Sequence, residues 1–110
     1  MYLNEFDATL KQIQGKWKII ILYEIHEHSV VRFNALSRSI AKVSNKTLTT
    51  QLRELEEDGF ISRVVYATVP PKVEYRLTEK GHSVIPLLDH ICQWGLEHTD
   101  PEKIENGLCS

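Results

Sequence analysis

The stretch from Ser44 to Gly59 carries the signals for both ends of a helix. Ser44 is an N-cap residue, with a side-chain oxygen suited to backbone N–H groups that a helix start leaves unpaired. Val43 before it and Leu48 within it are spaced to staple across that start. Leu48, Leu52 and Leu55 form one apolar stripe. Gly59 supplies a left-handed residue just past the end, and Phe60 is placed to pack back on Leu55. Such a helix must bury its leucines, so the rest of the chain has to supply the surface that covers them.

That surface is legible on both sides. Leu3, Phe6, Leu10 and Ile13 recur at helical spacing, and Gly15 ends that helix. Lys16 to about His28 is apolar nearly all round, through Trp17, Ile19, Ile20, Ile21, Leu22, Tyr23 and Ile25, which predicts a buried central helix. Phe33, Leu36 and Ile40 mark a third, short helix, joined to the fourth by Ala41 to Ser44. Beyond Gly59, the β-branched run Ile61 to Ala67 and the alternating run Lys72 to Leu77 flank the breaker Thr68-Val69-Pro70-Pro71, which predicts a hairpin. Thr78 caps a last helix carrying Val84, Leu87, Leu88, Ile91, Cys92 and Trp94, with a kink expected at Pro86. From His98 onward the chain is polar and reads as a frayed tail.

The expected fold is therefore mainly α with a small β-hairpin. Residues 1–98 form one domain and residues 99–110 a polar tail. The chain's 110 residues, 42% hydrophobic and 25% charged, suit a single core. The longest apolar run, Ile19 to Leu22, is far short of the roughly 20 residues of a membrane span. The first residues lack the features of a signal peptide. Two cysteines do not make a disulfide framework. A cytoplasmic protein without membrane contact is expected.

Helices three and four followed by a hairpin have the order of a winged helix-turn-helix. The net charge of −2 conceals a segregation. Between His28 and Arg53 there is no Asp or Glu, yet Arg32, Arg38, Lys42, Lys46 and Arg53 fall at or inside those limits. Opposite its leucines, the fourth helix carries Lys46, Thr50 and Arg53, flanked by Thr47 and Thr49. Such cationic and hydrogen-bonding side chains read base edges and phosphates. Asn45, Lys46, Thr47, Thr49, Thr50 and Arg53 are the candidate base-reading residues. Ser44 and the open N–H groups of the helix start suit a phosphate. Arg63, Lys72 and Arg76, expected around the hairpin tip, suit the flanking backbone, as do Arg32, Arg38 and Lys42. Double-stranded DNA is the expected partner, with a recognition helix over about 44–58 and a wing over about 61–77. A winged module that docks protein and never reads DNA is the alternative; it requires an apolar patch near the fourth helix.

Five sequence pieces, in order, resemble the HxlR-type winged helix-turn-helix regulators of prokaryotes. They are Ile13-Gln14-Gly15-Lys16-Trp17, Arg32-Phe33-Asn34-Ala35-Leu36, the run Leu48 to Gly59, the run Pro70 to Thr78, and Trp94-Gly95. The resemblance covers roughly residues 4 to 98. It implies a homodimeric transcription regulator whose first and last helices make the dimer contact, which assigns Leu3, Phe6, Leu10, Leu88, Ile91 and Cys92 to that interface. Some members of that family sense oxidants through a cysteine just before the first helix. Here that position falls near Asn4, and the first 91 residues hold no cysteine.

The remaining reactive side chains have bland readings. His26, His28, His82, His90 and His98 include no pair at metal-ligand spacing, so no metal is expected. Cys92, beside Ile91 and near Trp94, reads as a small buried hydrophobe, and Cys109 as an inert tail residue. No Gly-rich phosphate loop, nucleophile elbow or triad spacing is present, so neither catalysis nor a cofactor is expected. The operator and any small-molecule effector are not legible.

Overall fold

The helix Lys18–His28 is apolar through Ile25 and organises everything around it. A computed structural model describes residues 1–109. In chain order the elements are α1 (Glu5–Ile13), α2 (Lys18–His28), β1 (Val30–Arg32), α3 (Phe33–Ser39), α4 (Asn45–Glu57), β2 (Ile61–Tyr66), β3 (Lys72–Leu77) and α5 (Glu79–His98), then a 3-10 turn at Pro101–Lys103. Ile21, Leu22 and Ile25 of α2 are fully buried, and α3, α4, α5, β1 and β3 all pack against that helix. Leu48, Leu52 and Leu55 turn the inner face of α4 into the same core. Lys18 is buried as well, with its ammonium 3.6 Å from Glu54 of α4. No helix among the described residues is long and apolar enough to cross a membrane.

The expected hairpin is part of a three-stranded antiparallel sheet of order β1-β3-β2. β1 was not anticipated. Ser29, at φ 64°, turns the chain out of α2, and Val30, Val31 and Arg32 then pair with Arg76, Tyr75 and Glu74 of β3. Val31 is buried and anchors this short strand to the core. The sheet face bearing Ile61, Tyr75 and Leu77 closes the core, and the turn between β2 and β3 contains a cis Val69–Pro70 bond.

One junction locks α4, the sheet and α5 together. Gly59 adopts φ 82°, and α4 ends in a Schellman motif: Phe60 N–H donates to Leu55 O at 2.9 Å and Gly59 N–H to Glu56 O at 3.1 Å. Thr78 N–H donates to Phe60 O at 3.0 Å, and the Thr78 hydroxyl donates to Gly59 O. The same hydroxyl oxygen accepts from Gly81 N–H at 3.1 Å, capping α5. Gly81 passes so close to β2 that a Cβ there would stand 2.2 Å from Phe60 O.

α5 spans Glu79–His98 with Pro86 inside it, and one expectation for the residues beyond that helix is corrected. The segment after it is not a frayed tail: Asp100 caps the 3-10 turn, Glu105 pairs with Lys42, and Cys109 is disulfide-bonded to Cys92. Cys92 is thus neither a free thiol nor a simple core residue, and Cys109 is tied to α5.

Gly81→Ala should be among the most damaging small changes, because the added methyl meets backbone rather than a movable side chain. A loss of about 1–3 kcal/mol is expected. Urea unfolding of the variant checks it, with Gly95→Ala as the contrast: its Cβ meets nothing, and inside α5 the change should stabilise by about 0.5–1 kcal/mol.

Candidate nucleic-acid interface

The start of α4 is built before it is charged. Ser44 is extended (φ −77°, ψ 155°), and its Oγ accepts from Thr47 N–H at 3.1 Å. Ser37 Oγ of α3 donates to Asn45 Oδ1 at 2.9 Å, tying the two helices across their turn. With Leu48, Leu52 and Leu55 inward, Lys46, Thr50 and Arg53 lie exposed, while Thr47 and Thr49 are half-buried beside them. Thr49 Oγ1 donates to Asn45 O at 2.7 Å and Thr50 Oγ1 to Lys46 O at 3.0 Å. Their hydroxyl hydrogens are spent within the helix, so these threonines offer acceptor lone pairs and methyl groups outward. Methyls suit thymine C5-methyls, and lone pairs suit the amino groups of adenine or cytosine. Among the described residues neither Lys46 nor Arg53 has an acidic partner.

The wing cations do not gather at the tip as expected. Arg63 is opposite Tyr75 in the sheet register, on the face toward α4. Its Nε lies 3.5 Å from Glu56 of α4, and one groove is lined by Thr49, Arg53, Glu56, Arg63 and Tyr75. Lys72 and Arg76 are on the other face, with Glu74 between them at 3.6 Å and 3.9 Å. Only Lys72 borders the tip; its ammonium sits 4.7 Å from the Tyr66 ring centre, and Arg76 is opposite Ser62, near the base. The antiparallel register separates the two sets, since facing residues share a side of the sheet. The sequence reading missed Glu56 and Glu74 as partners, although the period-two placement of Glu74 between Lys72 and Arg76 was a usable signal.

The other candidates scatter around α3 and the turn. Arg32 is exposed at the N-cap of α3, opposite Glu74, and Arg38 is exposed in the last turn of α3. Lys42, at φ 71° in the α3–α4 turn, points its ammonium at Glu105. Leu3 (86% exposed), just before α1, and Phe6 (79%) and Leu10 on that helix lie bare. On α5, Leu88 is buried inside the protomer at 1% exposure, so Leu87, Ile91 and Trp94 form the bare row instead. Cys92 is half-buried and bonded to Cys109.

A helix-turn-helix with a free polar row on its second helix, followed by a β-wing, defines a winged helix-turn-helix transcriptional regulator. The sequence model of the HxlR-like helix-turn-helix family matches residues 12–103, and the chain belongs to that family. It is 46% identical over 93 residues to an HTH-type transcriptional regulator of Halalkalibacterium halodurans, covering 84% of this chain and 82% of that one. It is 50% identical over 97 residues to the regulator YtcD of Bacillus subtilis, covering 88% and 76%. Among solved structures, the redox regulator HypR in its reduced form superposes with a TM-score of 0.84 at 42% identity, covering 88% of this chain and 95% of that one. These relatives bear the names of regulators, not of enzymes. The chain is a DNA-binding transcriptional regulator of the HxlR type.

Tyr75, at the floor of the groove beside Arg53 and Arg63, has its phenol pushed above its usual pKa, chiefly by burial. The fold therefore favours the neutral phenol. This contribution is whole below about pH 10, the unfolded pKa, and is lost as the pH rises through the higher folded value. Tyr75→Phe should remove that part of the alkaline sensitivity and leave stability near pH 7 little changed. Urea midpoints measured from neutral to alkaline pH check this.

Proposed function

We propose that the protein acts in the cytoplasm as a homodimer on a pseudo-palindromic operator. In this reading α1 and α5 pair across a two-fold axis, α4 reads the major groove and the wing grips flanking backbone. The observation that carries it is the bare apolar surface at the two terminal helices: Phe6 and Leu10 on α1 with Leu3 just before it, and Leu87, Ile91 and Trp94 on α5. Pairing the terminal helices would bury this surface and set two copies of α4 about one DNA turn apart, roughly 34 Å or a multiple. A protein-docking module has less support, because the exposed row of α4 is Lys46, Thr50 and Arg53 rather than an apolar patch.

Within the operator complex, the roles divide by position. Lys46, Thr50 and Arg53, with Asn45, Thr47 and Thr49, face base edges; Ser44, Arg32, Arg38, Lys42, Arg63, Lys72 and Arg76 face phosphates. The wing cations reach phosphates by exchanging Glu56 and Glu74 for them. That exchange is inexpensive, since exposed ion pairs contribute only about 0–1 kcal/mol.

Sedimentation at micromolar concentration should show a dimer, and Phe6→Glu should yield monomer; wild type sedimenting only as monomer would falsify the pairing. Arg53→Ala should change preference among related sites, at a cost of about 1–3 kcal/mol on the preferred one. Lys72→Ala should weaken binding to every sequence alike and flatten the salt dependence. Titrations of operator and scrambled duplexes at several salt concentrations separate the two behaviours. If both variants behave alike, the division of roles is wrong.

A further inference from the structure

One cavity is walled by hydrogen-bond donors and no carboxylate. It opens where the end of α2, the start of β1, the end of β3 and the start of α5 meet, and its volume is about 400 Å³. His26, Ser29, Arg76 and His82 stand around it, over a floor that includes Ile25 and Leu77. The cavities beside Lys42 and Arg63 differ, because Glu105 and Glu56 share their walls.

These donors are uncommitted. His28 and His98 have partners within their own helices, Glu24 and Trp94 O. The side chains of His26, Ser29 and His82 make no hydrogen bond or ion pair among the described residues. Arg76 has only Glu74, at 3.9 Å, and an exposed pair of that length is readily exchanged for a better acceptor. The positive φ of Ser29 turns the chain so that Val30 lies opposite Arg76 in the sheet register, which closes one side of the cavity.

The wall defines what fits. A guanidinium fork, two imidazole N–H groups and a hydroxyl can together serve more acceptors than the two oxygens of a carboxylate. A phosphate monoester brings three acceptor oxygens and close to two negative charges, and arginine binds such a group bidentately. The volume is that of a small-molecule pocket and exceeds what a bare phosphate fills. Its apolar floor and Val30, 39% exposed, offer contact to the ester's organic group. Arg76 is opposite Ser62 at the base of the wing, away from the tip, which favours a free ligand over a duplex.

We propose that this cavity is a binding site for a small phosphate monoester, and that the bound ligand holds Arg76 away from DNA phosphate. The effect on DNA rests on the reading that Arg76 grips the operator backbone; the binding itself does not. An anion in the cavity replaces Glu74 at the guanidinium and withdraws one cation per protomer from the duplex.

The test uses the full chain, with phenyl phosphate as the probe and inorganic phosphate and benzoate as comparators. Calorimetric titration should show one phenyl phosphate per protomer, bound several-fold more tightly than either comparator. The double variant His26→Gln, His82→Gln should lose most of that affinity and bind a labelled random-sequence duplex as the wild type does. Saturating phenyl phosphate should weaken wild-type binding to the duplex several-fold relative to sodium sulfate at equal ionic strength. The slope of log affinity against log salt should become shallower by about 0.9 for each protomer bound. Arg76→Gln should bind the duplex more weakly from the start and respond no further to the ligand. Absence of saturable binding, or a double variant that binds phenyl phosphate like wild type, overturns the site. A double variant that binds duplex poorly without ligand reassigns the cavity to DNA and overturns it too. Saturable binding that leaves duplex affinity unchanged overturns the link through Arg76. Failure of the wild type to bind any duplex, with phenyl phosphate still bound, would instead refute the DNA reading beneath that link.

Discussion

The recognition surface depends on a helix that never touches it. α2 is covered over most of its length, and Ile21, Leu22 and Ile25 are sealed from water. At about 1.5–3 kcal/mol for each large apolar side chain, these three burials are comparable to the whole net stability of a domain of this size. Because the covered faces of α2 are apolar, α3, α4, α5 and two strands lie against it, and only its end at His26 to His28 is left exposed. The leucine stripe of α4 is held to this hub, and Lys18 beside Glu54 adds an electrostatic register. The outward direction of Lys46, Thr50 and Arg53 follows from what their opposite face is pressed against.

The second constraint is the layout of charge. An overall charge of −2 is unsuited to a polyanion, but the average is irrelevant at the distances where binding occurs, since exposed charges more than a Debye length apart are screened to about 10 Å or less at physiological salt. α4 exposes unpaired Lys46 in its first turn and Arg53 in its third, while acids sit at its far end, on the wing and in the C-terminal segment. The wing cations have acidic partners at rest, Arg63 facing Glu56 while Lys72 and Arg76 share Glu74. Such pairs keep arginine and lysine side chains ordered in the free protein at little energetic cost, and they are loose enough to be exchanged for phosphate.

How much of this was legible in the sequence depended on whether the signal was local. The α4 boundaries, its cap and its Schellman ending were readable because Ser44, the three leucines, Gly59 and Phe60 all lie within one stretch of chain. The direction of Lys46, Thr50 and Arg53 followed from helical geometry alone. β1 was missed because three residues carry no periodicity, and the strand exists only through its pairing with β3. Leu88 was misplaced because α5 is apolar on more than one side, so only packing decides which residues face inward. The tail was misread because its folding back rests on Cys109 meeting Cys92 and Glu105 meeting Lys42, contacts between segments whose own composition is that of a loose end.

The exposed row of α4 has a bearing on how such a scaffold diversifies. Lys46 and Arg53 have no acidic partner among the described residues, and the Thr50 hydroxyl bonds only within its own helix. None of the three belongs to the core cluster. In the proposed reading, exchanging any of them for another helix-compatible residue would alter what the surface recognises while leaving the folding free energy within about ±0.5 kcal/mol. A lineage built on this chain can therefore drift from one target to the next through neutral folding intermediates, without first accumulating a reserve of stability.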